Sequence, residues 1–187
     1  MSSRIKFLSE ALKNMNTFGT VVPSSRFLSK RMLKKIDFKN AKVFVELGSG
    51  NGAITAYILE KLSPDSILIC FEINDYFYNQ LIALKHPQLI VVKSSAENIK
   101  VELNKQNLNK TDYIISSLPL TIIPENISDL ILKKSFEALV DNGTFIQYQY
   151  SLTYFKKLKK VFKEAITLEF EVLNFPPAFI YSCKKVR

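Results

Sequence analysis

The sequence predicts an α/β fold: a mostly parallel sheet of seven strands, the last one antiparallel, with helices on both faces. Three observations predict it. Five short runs rich in β-branched and aromatic residues, at 43–47, 67–72, 89–92, 112–117 and 144–150, alternate with helical patterns at 53–62, 75–85, 95–105 and 125–140, and such alternation is how parallel strands are joined. Three of the five glycines fall within residues 48–52, directly after the first run, where a strand must turn sharply into a helix. The 187 residues, 47% hydrophobic, suffice for one domain with a full core.

Each element carries its own signal. The first five runs are short and apolar throughout, as strands covered on both faces are. The 125–140 pattern stops at Asn142-Gly143, read as a helix terminus. A basic helix near 153–163 follows strand five. Two strand-like runs, 166–173 and 178–186, then pair as an antiparallel edge with Pro176-Pro177 in the connection. Two helical segments precede the first strand. Residues 5–15 set Ile5, Phe7, Leu8, Ala11, Leu12 and Met15 on one face, with Lys6, Glu10 and Lys13 opposite. Residues 24–36 begin at a Ser24 N-cap and set Leu28, Met32, Leu33 and Ile36 against Arg26, Lys30, Arg31, Lys34 and Lys35. The second is expected to pack on the domain. The first, bordered by lysines at a terminus, has the form of an interfacial membrane helix. The expected organisation is thus one domain over 1–187, with 1–38 a basic amphipathic extension.

Charge is segregated. Residues 1–39 carry a net +7, residues 40–151 a net −3, and residues 152–187 a net +5, within a total of +9. Basic ends imply an anionic partner surface, either nucleic acid or a membrane leaflet. The opening residues lack a signal-peptide pattern and no later stretch reaches a membrane span, so a cytoplasmic protein is expected. Cys70 and Cys183 lie in apolar strand-like runs without metal-ligand spacing, and His86 is the only histidine. No disulfide or metal site is expected.

The glycine loop, Glu46-Leu47-Gly48-Ser49-Gly50-Asn51-Gly52, lets backbone N–H groups and a helix N-terminus approach a ligand closely. Gly48, Gly50 and Ala53 also satisfy a dinucleotide pattern. Glu46, a carboxylate at the strand end, argues against a pyrophosphate and for a ligand bearing positive charge. Glu72 ends strand two, twenty residues after Gly52, where it can accept both hydroxyls of a ribose. The ligand these residues describe is an adenosine with a cationic tail.

These residues resemble the first motif of the class I S-adenosylmethionine-dependent methyltransferases, which implies their Rossmann-like fold and S-adenosylmethionine as cofactor. By that resemblance Gly48, Ser49, Gly50 and Gly52 line the methionine part and Glu46 acts on its ammonium side. Glu72 holds the ribose, Ile73 packs on the adenine, and Ser95-Ala96 stand where the family usually has an acid contacting the adenine amine; Glu97 is the substitute. Ser116-Ser117-Leu118-Pro119-Leu120 follow strand four, where methyltransferases of the adenine amine carry a polar residue and a stacking aromatic. Here Ser116 falls to the cofactor side and Ser117 to the acceptor. With leucine in the aromatic position a flipped base would lose a stacking contact of ~1–3 kcal/mol.

The wider chain is similar to the bacterial phospholipid N-methyltransferases related to the rRNA adenine dimethylases, through residues 18–25 (FGTVVPSS), the glycine loop, the Ser-Leu-Pro-Leu segment, Gln147-Tyr148-Gln149-Tyr150 and Pro176-Pro177-Ala178. That likeness implies methyl transfer to the headgroup amine of an aminophospholipid such as phosphatidylethanolamine, by a protein peripherally attached to the inner leaflet. Tyr148 and Tyr150 are the acceptor-side candidates, Tyr150 standing at the family position. Lys156, Lys157, Lys159 and Lys160 supply a positive flank for lipid phosphate. Two alternatives stay open: an RNA adenine N-methyltransferase, and a membrane-peripheral protein that binds the cofactor without turnover.

Overall fold

The computed structural model describes residues 24–186; the helix expected at 5–15 and most of the 18–25 segment lie outside them. Its elements are α1 (Arg26–Leu33), β1 (Val43–Leu47), α2 (Ala53–Leu59), β2 (Ile67–Phe71), α3 (Asp75–Ala83), β3 (Leu89–Val92), α4 (Ile99–Lys105), β4 (Thr111–Ser116), α5 (Glu125–Ala138), β5 (Leu139–Gln149), α6 (Phe155–Phe162), β6 (Ile166–Glu171) and β7 (Ala178–Lys184). Single 3₁₀ turns at Ala96–Asn98 and Leu152–Tyr154 lead into α4 and α6.

The strands form one sheet in the order β3-β2-β1-β4-β5-β7-β6. Four pairings, β1 with β2, β1 with β4, β2 with β3 and β4 with β5, are parallel. β7 runs antiparallel to both β5 and β6, so the expected edge hairpin is present. Strand order reverses between β1 and β4, and the carboxyl ends of the strands there are where doubly wound sheets bind ligands.

Side-chain alternation divides the core in two. Phe44, Leu68, Cys70, Ile115, Ile146 and Ile180 face α1 and α2, whereas Val45, Leu47, Ile69, Ile114 and Phe145 face α4, α5 and α6. α1 belongs to this structure. Its Leu28, Met32 and Leu33 are buried, and each such side chain removed from water contributes roughly 1.5–3 kcal/mol. The Arg31 guanidinium adds a 2.6 Å contact to Glu171 on β6.

Two of the boundaries that differ from expectation have identifiable reasons. The first helix is capped by Ser25, whose Oγ accepts the Leu28 N–H at 3.1 Å, so Ser24 lies one residue outside it. α5 ends at Ala138 because Leu139 is already extended and paired with Thr111. Asn142-Gly143 therefore lies inside β5, where Asn142 takes a left-handed φ of 66° beside a register shift opposite Thr111 and Tyr113.

Candidate active site

The strand parity of β1 decides where Glu46 points. Sharing the side of Phe44, it faces α2, beneath the glycine loop, and is fully buried. The Thr55 hydroxyl donates to its Oε2 at 2.6 Å and the Cys70 thiol at 3.2 Å, while Oε1 has no partner. Burial pushes this carboxyl up to about 7, against the opposing pull of Thr55 and Cys70. Glu46 therefore lies behind the loop, bonded to α2 and β2, rather than pointing into it.

The loop itself needs its glycines for two different reasons. Gly48 has φ 71°, and a Cβ there would lie 2.8 Å from Leu118 Cδ2, so it permits the β4 loop to pack against it. Gly50 has φ 52°, and a Cβ there would meet nothing within 4 Å. That position opens onto free space. The Gly48 N–H donates to the Phe71 carbonyl at 2.9 Å, tying the loop to the end of β2.

Glu72 stands next to it, nearly buried. Its Oε2 accepts the Gly50 N–H at 2.8 Å and its Oε1 the Asn74 N–H at 2.7 Å. Burial raises its pKa and these backbone donors oppose the rise. Held so, each oxygen keeps a lone pair for a further donor. Ser95 and Ala96 are buried, and the hydroxyl of Ser95 has no partner, nor has Oε2 of Glu97.

The segment after β4 is pinned from both sides. The Ser117 N–H donates to the Leu47 carbonyl at 2.9 Å, and the Leu118 N–H approaches Ser116 Oγ at 3.4 Å. The Leu118 carbonyl accepts Gln147 Nε2 at 3.0 Å and Gln149 Nε2 at 3.4 Å. Leu120 is 1% exposed, inside the core.

A cavity of about 240 Å³ opens beside the loop, walled by Gly48, Gly50, Ser24, Phe77, Ser117 and Tyr148, with Ser49 also on its lining. Tyr148 reaches it because it shares the strand face of Ile146, toward α1 and α2. Tyr150 stacks edge-on against Tyr148, ring centroids 5.7 Å apart, and is not on the lining. Burial pushes the Tyr150 hydroxyl up to about 12, with Tyr148 adding to the rise. Of the two tyrosine candidates, Tyr148 stands on the cavity wall and Tyr150 directly against it. Glu46, Gly52, Glu72, Ile73, Ser95, Ala96 and Ser116 also lie off the cavity wall.

Ser24 and Phe77 were not anticipated as site residues. Ser24 reads as a cap in the sequence, and Phe77 is a helical residue whose place depends on Asn74, which caps α3 by accepting the Tyr76 and Phe77 N–H groups. Within the expected positive flank, Lys157 pairs with Glu125 and Asp129 and Lys159 with Glu164, while among the described residues Lys156 and Lys160 have no ion pair. Among the described residues no helix is long and apolar enough to cross a membrane, and no group of three or more His, Cys, Asp or Glu is placed to hold a metal ion.

This sheet order, with a glycine crevice at the switch point and a buried acid closing the next strand, defines a class I S-adenosylmethionine-dependent methyltransferase. A family model described as "Methyltransferase small domain" matches residues 11–173, and the chain belongs to that family. It is 28% identical over 183 residues to the ornithine lipid N-methyltransferase of Singulisphaera acidiphila, covering 97% of this chain and 95% of that protein. Among solved structures it is similar to PigF with SAH (TM-score 0.65, 13% identity), covering 98% of this chain but 62% of that one. An O-methyltransferase of Thermotoga maritima aligns with a TM-score of 0.64 at 13% identity, over 96% of this chain and 71% of that one. A putative rRNA-methylase of Clostridium thermocellum gives 0.61 at 15%, over 89% and 99%. At such identities the structural likeness speaks for the fold.

The residues present fit S-adenosylmethionine. The open space at Gly50, the lone pairs left on Glu72 and the unpartnered Ser95 hydroxyl are the features such a ligand would complete.

Proposed function

We propose that this methyltransferase acts on the headgroup amine of an aminolipid, phosphatidylethanolamine or an ornithine-type lipid. The observation carrying the reading is the acceptor side of the crevice. Leu120, at the position where base methyltransferases present a stacking ring, is buried in the core, and the Leu118 carbonyl that would take the amine of a base is occupied by two glutamines. The aromatic groups that do face the cavity, Tyr148 and Phe77, suit a small cation better than a planar base. The ornithine lipid specificity named for the Singulisphaera relative supports a lipid amine.

In this reading Gly48, Ser49, Gly50 and Gly52 cradle the methionine end of the cofactor and Glu72 takes the ribose hydroxyls. Ile73, Ser95 and Ala96 bound the adenine, and Ser116 fixes the turn between the two sites. Glu46 lends negative charge to the ammonium side from beneath the loop. When bound, the cofactor supplies a methyl group on a sulfonium, already activated toward an amine lone pair. The protein's task is then orientation and exclusion of water. The headgroup ammonium gives one proton to solvent before its nitrogen lone pair can take the methyl; Tyr148 and Phe77 hold the group by their ring faces, and the Ser117 hydroxyl accepts a hydrogen bond from it. Tyr150, its hydroxyl neutral well above physiological pH, buttresses Tyr148.

We further propose that residues 1–187 form one methyltransferase domain, with 1–38 its basic extension and the inner leaflet its place of work. Labelled cofactor with phosphatidylethanolamine or ornithine lipid vesicles tests the acceptor. Label recovered in lipid is the expected result; label recovered only in rRNA would assign the enzyme to bases, and tight cofactor binding without transfer to any acceptor would make it a binding protein.

A further inference from the structure

The rim of the cavity is apolar where folding does not require it. β5 ends at Gln149, and Gln149 pairs with Phe179 near the start of β7, while Glu171 at the end of β6 pairs with Ala178. The 172–177 connection therefore projects from the same edge of the sheet as the glycine loop. Val172 is 64% exposed, Leu173 59% and Phe175 83%. Leu152 and Ile122, in the connections after β5 and β4, are exposed on that edge too.

This tip is held outward. Asn174, at its centre, is 3% exposed; its Oδ1 accepts the Ser25 N–H at 3.0 Å and its Nδ2 donates to the Pro176 carbonyl at 2.8 Å. Ser25 follows the cavity residue Ser24, so the same side chain anchors the tip to the mouth. Several acids on these elements are paired: Glu171 with Arg31, Glu169 with Arg31 and Lys35, Glu125 with Lys157, and Asp75 with Lys93. Arg26, Lys30 and Lys156 are exposed outside these pairs. Three exposed apolar side chains on an anchored tip, beside cations that have no ion pair among the described residues, match a leaflet with anionic headgroups over an acyl boundary. A nucleic-acid backbone would ask for cations at the tip itself.

We propose that this carboxyl-edge rim is the docking face for an anionic lipid leaflet, with Val172, Leu173 and Phe175 entering the acyl boundary and a headgroup amine presented at Ser24 and Tyr148. The occupant rests on the aminolipid reading above. Docking through the 172–177 tip is a different anchor from the helix expected at 5–15.

The chain has no tryptophan, so Phe175→Trp in the full chain reports the tip alone. With vesicles of phosphatidylethanolamine and phosphatidylglycerol its emission should shift to the blue and be quenched by acyl-brominated lipid, while Leu84→Trp, at the far end of α3, should not respond. The double variant Val172→Asp/Phe175→Asp should lose about tenfold or more in vesicle association, keeping its affinity for S-adenosylhomocysteine and its turnover of monomeric short-chain phosphatidylethanolamine. An indole that stays unshifted while the protein co-floats with vesicles overturns the proposal, as does one already blue before vesicles are added, which would place the N-terminal segment on the tip. Wild-type methylation of vesicle lipid by the double variant also defeats the docking face, leaving the acceptor reading intact. Insertion of the tip with no aminolipid methylated upholds the docking face and sinks the acceptor reading instead.

Discussion

Glu46 carries a pKa near 7 because its partners are a hydroxyl and a thiol, neither of which offsets the loss of water. The folded protein therefore binds a proton that the unfolded chain releases at about 4.5. The ionised carboxylate is the form burial penalises, so this group lowers stability progressively as pH rises from about 4.5 through 7, by an amount on the order of 3 kcal/mol at most. Thermal unfolding of the ligand-free protein should follow that trend, and Glu46→Gln should flatten it. A cationic ligand above the loop reverses the preference; affinity for S-adenosylmethionine should rise with pH through 7 in the wild type and not in Glu46→Gln, as calorimetry would read. Gly50→Val should abolish cofactor binding, its side chain filling the open space of the crevice, and should lower the melting temperature as well, because a β-branched residue is strained at a φ of 52°. Tyr148→Phe should keep most acceptor activity and Tyr148→Ala lose it about tenfold or more, the ring face rather than the hydroxyl holding the cation. At this scale residue types were legible and neighbours were not. Gly48 and Gly50 announce themselves by composition, whereas the turn of Glu46 toward Thr55 follows from strand parity, and the arrival of Phe77 at the cavity from how α3 packs.

Elements were legible where burial wrote them. β1 to β4 are covered on both sides, so their apolar runs mark them within a residue or so; the starts of α2 and α3 were equally legible, from Gly52 and the Asn74 cap, while their C-terminal ends fall two or three residues short of the pattern. Their ends were set by contacts that the one-dimensional pattern does not contain. Ser24 and Ser25 are equivalent as caps in sequence, and the choice falls on Ser25 because its backbone N–H is held by Asn174, 149 residues away. Ser25→Ala should cost about 1 kcal/mol of stability through the lost cap, visible as a lower midpoint in urea. Because α1 positions Ser24 on the cavity wall, the same change should raise KM for the acceptor while leaving the affinity for S-adenosylhomocysteine alone. An unchanged KM would detach α1 from the acceptor side.

For the whole molecule, charge segregation and the sheet edge act together. On the proposed docking, the basic ends would draw an anionic surface toward a protein whose middle is acidic. Vesicle association should weaken as salt is raised from roughly 0.05 to 0.5 M, where the screening length shrinks to a few ångströms, yet a salt-resistant fraction should persist through the apolar tip; co-flotation across that range measures both parts. The hairpin at the edge was legible from the two long runs and the prolines between them, whereas the strand order was not, since run lengths do not name pairing partners. The exposure of Val172, Leu173 and Phe175 was not, since an apolar strand continuing to residue 173 and an apolar tip beyond residue 171 look alike in sequence.

Cys70, on β2, lies sealed against α2 beside Glu46 of β1, its thiol held neutral far above the usual range by burial and by that carboxylate. A sulfur so placed ignores alkylating reagents until that seam parts, which turns it into a stopwatch for breathing of the crevice floor. Its labelling rate in native buffer times that opening, and the slowing that S-adenosylhomocysteine imposes measures how far an occupied crevice locks the floor shut.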